Sequence, residues 1–510
     1  MKMNMLSVTV IVICLSQVLP VYAKPADETT STNQSAAVPA QKKQAHRRPT
    51  HHAGVAAQKQ DKVISNAYNF KSIFGSQVDP RTGMFGFHYN LGHLVGNDGF
   101  GPNLSLVAQY SESTDADPYG IAKGWSLNLS HYDNQTQMLS LSNGASFRIT
   151  NINDSGRMNL QYYKLDNLHV YKGESTDPYF LKVVYKDGHI EYLDQDGYLI
   201  EIESARGDKL FFHYDLSSGG HVLTEVIDQK GKHWIKFDRL LGKLSIVSLD
   251  AQGHPVSSVM NIENHLVTSI NLPAFNENVQ FGYANYGGRS LMDSVISPTG
   301  SSTMLHYTSL LGPEIPGMAP EVVYAVDHQT TSPGFGEPSQ TLTYHFSGSD
   351  GHNYLGYGAT VQYEPHVDLL FEAPADYRYE TTVDNGRMTT QYIYNKYHLL
   401  MATNIFEDGQ VKSTKQSEQC YPIGLGGQTI CGGQAVASSI FDLPANYALM
   451  NGTKIIFTAP ASAIQNTAPR QRIIMTHSQY DEQGNILAKT DTMGMKTLYQ
   501  YGAADQNGFV

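Results

Sequence analysis

With 510 residues, a formal net charge of −12 and charged side chains at 16% of positions, the chain is long enough for about three average domains and too acidic to favour nucleic acid as a partner. Hydrophobic residues make up 41% and aromatics 10%, enough for a large core, while 45 Gly and 22 Pro supply many turns. Tyrosine (32) far outnumbers tryptophan (2), which suits half-buried sheet faces where the ring packs and the hydroxyl reaches water.

Residues 1–23 read as a secretory signal. Lys2 gives a thin positive start, and Leu6 to Val18 form an apolar run too short for a membrane anchor. Val21-Tyr22-Ala23 is a small-residue site that predicts cleavage between Ala23 and Lys24. Cys14 follows Ile13 rather than a small residue, which disfavours lipoprotein processing. Residues 24–64 form a leader rich in Ala, Gln and His, without the apolar surface that folding requires. His46, His51 and His52 within it read as solvated polar side chains ahead of a metal site. Residues 24–62 hold seven Lys/Arg and three Asp/Glu; with this +4 and the +1 of Lys2 set apart from −12, residues 63–510 carry −17. The expected localisation is exported: periplasmic, outer-surface or secreted.

The next block, 65–150, opens with the turn Val78-Asp79-Pro80-Arg81-Thr82-Gly83. Phe85, Phe87 and Tyr89 alternate behind it as a strand. The turn Gly96-Asn-Asp-Gly99-Phe-Gly101-Pro102 precedes a strand over Leu104 to Tyr110. Gly120-Ile-Ala-Lys-Gly124-Trp125 then leads to Leu127 and Leu129, which alternate with polar neighbours, and Leu139 to Phe147 reads as a hairpin about Gly144.

From 151 to 310, turns followed by aromatic strands recur. They include Asp187-Gly188, Asp194-Gln-Asp-Gly197, Asp228-Gln-Lys-Gly231, Asp250-Ala-Gln-Gly253 and Ser297-Pro-Thr-Gly300. Residues 311–378 are less regular, with a glycine-aromatic strand expected over Leu355 to Tyr363. In 379–510 the turn-strand units resume around an insertion, 410–470, that holds Cys420 and Cys431. Two cysteines eleven positions apart in an exported chain, joined by a Gly- and Pro-bearing loop, predict one disulfide, with two free buried thiols as the alternative. A short helix over Ile440 to Met450 is disfavoured by Pro444.

The last unit carries the sharpest pattern. Tyr480-Asp481-Glu-Gln-Gly484 is followed ten residues on by Asp491-Thr-Met-Gly494 and then by Tyr501. Asp suits the first position of a type I turn and Gly the fourth. Strands follow over Ile486 to Lys489 and Met495 to Tyr501, with Met495, Thr497, Tyr499 and Tyr501 on one face.

This unit resembles a YD repeat of the RHS family, departing at one position where Ile486 replaces Leu. Residues 78–149 resemble the N-terminal leader of exported RHS proteins and of insecticidal toxin-complex subunits. The matched residues are Asp79, Pro80 and Gly83 in the first turn and Trp125 with its Leu-x-Leu strand; the glycine spacing before Trp125 is wider here. The resemblance covers about 65–510 and is to the shell-building part. It implies an all-β fold: stacked antiparallel β-hairpins (YD repeats) forming part of a spiralled, shell-like sheet. The family's C-terminal core with its Asp-Pro-x-Gly closure has no match, so its proteolytic and toxic activities are not carried over.

No nucleophile elbow, zinc-protease motif, Cys-x-x-Cys, phosphate loop or dinucleotide fingerprint occurs, so no catalytic residue, cofactor site or metal site is expected. Asp194-x-Asp196-Gly197 and Asp115-Ala-Asp117 resemble fragments of calcium loops but read as hairpin turns. The leading expectation is a non-catalytic exported shell or scaffold component of a toxin or secreted polymorphic-toxin-type system. Its partner is then the remaining core or toxin chain, or a second copy, docked on the C-terminal edge. The alternative is a cell-surface glycan-binding or adhesion module that stacks tyrosines on sugar rings. The signal reading is checked at the N-terminus: Edman sequencing of exported protein should start at Lys24, and recovery of Met1 would refute it.

Overall fold

The computed structural model describes Ser65, Ala67 and residues 77–509 apart from 113–117, 153–155, 217–220, 251, 274–275, 316–320, 347–350, 363–366, 408–414, 460–469 and 506–507. The signal, the leader and Asp115-Ala-Asp117 therefore lie outside the described residues.

The described part is almost entirely antiparallel β, in two sheets. The smaller has four strands in sequence order: Gln77–Val78, Phe85–Val95, Asn103–Ser111 and Trp125–Leu127. The larger has 28 strands, from His131–Asp133 to Lys496–Leu498. Nearly every strand pairs with its neighbour in sequence, so the sheet is a long meander of hairpins. At the cysteine insertion Lys415–Tyr421 pairs with both Ile430–Cys431 and Gly452–Ala459. The change from one sheet to the other falls between Leu127 and His131, inside a block that reads as continuous in the sequence.

Alternation explains why these segments are strands. Asn103–Ser111 and Lys243–Leu249 bury every second residue, the signature of a sheet with one packed face. Two segments differ from expectation. Leu355 to Val361 turns instead of extending: the Gly356 N–H bonds the Asn353 carbonyl, the Ala359 N–H bonds the Gly356 carbonyl, and Gly356 sits at φ 90°. The final strand covers only Lys496–Leu498; beyond it the Tyr499 N–H still bonds the Leu487 carbonyl at 3.0 Å, but Tyr501 sends its hydroxyl to the Ile486 carbonyl. Over Ile440–Asp442 a single 3-10 turn forms and ends before Pro444.

The small sheet packs on one face of the large one. Phe87, Leu106, Tyr110 and Trp125 share a continuous core with Leu244, Met260, Phe281, Met292 and Tyr344. Trp125 is fully buried, with ring centroids 5.1 Å from Phe281, 5.9 Å from Phe87 and 5.9 Å from Tyr110. Its indole N–H donates to the Tyr283 hydroxyl at 3.0 Å, and that hydroxyl donates to the Val267 carbonyl at 2.9 Å.

The end of the meander comes back to its beginning. The Asp166 N–H donates to the Glu482 carbonyl at 2.8 Å, and Lys186 Nζ donates to the Gln483 carbonyl at 3.1 Å and to Asn485. Phe509 stacks on His169 at 4.2 Å, and Lys164 Nζ donates to the carbonyls of Ile440, Phe441 and Leu443. Trp125→Ala leaves a large cavity between the sheets and removes the N–H that the Tyr283 hydroxyl accepts. It should cost about 4 kcal/mol of stability. Urea unfolding measures this, and a loss below about 1 kcal/mol would contradict the packing described.

Candidate functional site

The Asp-x-x-Gly turns share one wiring. In Asp481-Glu-Gln-Gly484 the Gly484 N–H returns to the Asp481 carbonyl at 3.2 Å. The Asp481 carboxylate accepts from the amides of Gln483 and Asn485 at 2.9 and 2.8 Å. Asp491, with Gly494 at φ 82°, repeats the pattern toward Met493 and Met495. So do Asp194, Asp228 and Asp250. Asp505 makes a further copy that sequence reading missed, with its carboxylate on the Phe509 amide at 2.9 Å and the Gly508 N–H on its carbonyl at 3.1 Å. Asp194 is the calcium-like position. One of its oxygens holds the turn amides and the other lies 3.2 Å from His221 Nε2, so it is occupied as a hairpin residue. Tyr480 is half-buried at the end of Arg470–Tyr480, and its carbonyl accepts from Asn446.

The Asp79–Gly83 turn is lodged in the large sheet. The Gly83 carbonyl accepts from the Val326 N–H at 2.8 Å. A Cβ on Gly83 would lie 2.4 Å from Ala325 Cβ and 2.6 Å from the Phe346 ring, at a φ of +75°. The Asp79 carboxylate accepts from the Arg81 amide at 2.8 Å, and Pro80 follows it at the turn. Arg81 itself points inward, donates to the His398 carbonyl at 3.1 Å and lies 5.0 Å over the Tyr394 ring. Beside it, His398 Nε2 lies 2.8 Å from Asp368 Oδ2 and 3.5 Å from Ser65 Oγ, while Nδ1 lies 2.9 Å from the Tyr379 hydroxyl. Serine and aspartate thus face the same ring nitrogen, and the histidine is fully buried. A catalytic histidine needs them on opposite nitrogens and an accessible serine, so this grouping is a buried polar support.

Cys420 and Cys431 lie directly opposite on paired strands and are joined in a disulfide. Closing so short a loop restricts the unfolded chain by about 3 kcal/mol. The structure places Trp125 in the core, Asp79, Pro80 and Gly83 in the turn lodged against the large sheet, Asp481, Gly484, Asp491, Gly494 and Tyr501 in the last hairpins, and the cysteines at the insertion. Ala23 and Lys24 fall outside the described residues.

One constellation has no sequence signal. His306 on Ser302–Leu311 pairs with His328 on Val322–Ser332, while Tyr307 pairs with Val326, so Asp327 is an extra residue in a bulge. A regular strand would turn Asp327 and His328 to opposite faces; the bulge re-aims Asp327 to the side of both histidines. His306 Nδ1 lies 2.6 Å and His328 Nδ1 3.0 Å from the same oxygen, Asp327 Oδ1. Burial would raise the Asp327 carboxyl, but hydrogen bonds from the two imidazoles outweigh it and hold the group below its ordinary value. Asp327 and His328 also line a cleft of about 410 Å³ with Thr343, Tyr344, Asn353 and Tyr357.

No family model matches this sequence, and no curated protein matches it. Among solved structures it is similar to a crystal structure of TcdB2-TccC3 without its hypervariable C-terminal region, at 10% identity and a TM-score of 0.32, over 73% of this chain and 19% of that one. It is similar also to the crystal structures of TcdB2-TccC3-Cdc42 (10% identity, TM-score 0.29, 69% of this chain and 18% of that one) and TcdB2-TccC3-TEV (11%, 0.31, 82% and 22%). The chain thus spans about a fifth of the length of those structures.

Asp228 ties the two sheets together. Its carboxylate accepts from the amides of Lys230 and Lys232 in its own turn, from the Asn97 amide of the small sheet's turn at 3.1 Å and from the Trp234 indole at 2.9 Å. Burial raises its pKa, but these donors outweigh it and hold the group below 3.8. A depressed folded-state pKa stabilises the fold above the ordinary value, and that contribution fades as pH falls through the lower folded value. Asp228→Asn should therefore cost about 2 kcal/mol near neutrality, with the gap to wild type narrowing below about pH 4. Melting midpoints across pH test it; a gap independent of pH would show that charge is irrelevant there.

Proposed function

We propose that the chain is a non-catalytic wall: an exported shell or scaffold component of a toxin-type assembly, built to enclose or display and docked to a partner at its C-terminal end. The observation that carries this reading is the return of the last hairpins onto strands near the start of the large sheet. It is made through the Asp166–Glu482 backbone bond, the Lys186 contacts and the Phe509–His169 stack. Part of a spiralled, shell-like sheet is what the resemblance to RHS shells implies, and this return supports an enclosing wall. The tyrosines favour the same reading over sugar stacking, because those of the core send their hydroxyls inward. Tyr307 donates to Met292, Tyr377 to Asn353 and Tyr397 to Ala437.

The docking edge is the final strand. Leu498 on it and Met493 and Met495 just before it are exposed. Because the Tyr499 N–H bonds Leu487 in the antiparallel ladder, the Leu498 N–H points to the other side. Leu498→Pro removes that outward donor while leaving the inner ladder intact. Sedimentation of the mature protein should show association, with itself or with a partner recovered from native extracts, that Leu498→Pro abolishes. A clean monomer at high concentration, unchanged by the substitution and with no partner recovered, would sink this reading.

A further inference from the structure

We propose that His306, Asp327 and His328 form a binding site for one divalent transition-metal ion of the zinc class. Their ligand atoms already converge: all three lie within 4.8 Å of one another, and both imidazole Nδ1 atoms face the single oxygen Asp327 Oδ1. An ion with bonds of about 2 Å in a tetrahedral shell needs donors roughly 3.3 Å apart. The two histidine–aspartate separations of 2.6 and 3.0 Å need to open only slightly to reach this. The histidines are free to make that adjustment, with side chains 66% and 52% exposed.

The donor set selects the metal. Two imidazoles and one carboxylate suit zinc, nickel or copper, whereas calcium and magnesium prefer shells of oxygen. The backbone beneath is firm, since His306 and His328 are ladder partners and the eleven-residue strand of His328 is paired on both sides. The bulge, one of several in the sheet, is what brings Asp327 onto the histidine side. Three protein donors leave a fourth position. Asp327 and His328 form part of the adjoining cleft, so that position serves water or a donor group of a molecule held among Tyr344, Asn353 and Tyr357.

The test uses the full mature chain, whose leader holds His46, His51 and His52, so the leader's own contribution is measured separately. Equilibrium dialysis against Zn²⁺ is done on wild type, on Asp327→Asn, on His328→Ala and on a chain with the three leader histidines replaced by Ala. The expected result is one ion per chain that survives the leader replacement and is weakened at least about tenfold by Asp327→Asn or His328→Ala. Co²⁺ bound at the site should show the visible absorption of a nitrogen–oxygen shell and lose it in the same two variants. Circular dichroism melts establish that each variant is folded, and His306→Gln, at the more exposed ligand, replaces any that is not. Binding unaffected by the sheet substitutions, binding lost with the leader histidines, or Ca²⁺ competing as well as Zn²⁺ would each overturn the proposal.

Discussion

The contact between the two sheets is what the rest of the molecule depends on. A meander of hairpins buries only one face, and a lone hairpin cannot hold itself in water. Here the small sheet supplies the missing cover. Trp125 stands at its centre, edge-on to Phe87 and Phe281, with its one polar atom bonded to Tyr283. Around that contact the small sheet is pinned by polar bonds at widely separated points of the meander. Asn97 meets Asp228, Ser248 donates to the Leu91 carbonyl, the Tyr110 hydroxyl receives the Met292 N–H, and Gly83 receives the Val326 N–H. Each bond fixes one strand's register relative to a common reference, which nearest-neighbour pairing alone does not provide.

The repeated turns settle a second matter, the chemistry of the acidic surface. A carboxylate oxygen that accepts two backbone amides has little left to offer a cation or a substrate. In Asp481, Asp491 and Asp250 one oxygen takes both amides of the turn. The aspartates that make the folded part acidic are thus in good measure the residues that reverse its chain. This is why spacing arguments for calcium at Asp194 fail: the same residue types serve hairpin and ion, and the hairpin needs the oxygen first.

The all-β class, the hairpin turns and the glycines at positive φ were legible because each is a local matter of two to five residues. Asp228-Gln-Lys-Gly231 and Asp481-Glu-Gln-Gly484 contain all the atoms that form their turns. What was not legible depended on distant register. Leu355 to Val361 has the residues of a strand but no strand to pair with, and it turns over Tyr354 and Leu370 of a local core instead. The cover formed by 77–127 was hidden for the same reason, since alternation tells that a face is buried and not against what. His306, Asp327 and His328 were hidden doubly. They are separated by twenty-one residues, and strict alternation sets Asp327 and His328 on opposite faces, so only the bulge in the Ser302–Leu311 and Val322–Ser332 pair reveals them.

Two of the groupings of histidine with aspartate lie at opposite extremes of burial, and burial divides their uses. At His398 both ring nitrogens and the backbone carbonyl are engaged, by Asp368, Tyr379 and Arg81, and no surface reaches them. Every donor there stabilises a neighbour, so a change at one residue strands a charge or a lone pair in the interior and is read out as lost stability. At His306 and His328 the rings stand in solvent and share a single oxygen, an arrangement that contributes little to folding because exposed ion pairs are weak. That difference in exposure separates the surface cluster at His306 and His328 from the buried support at His398.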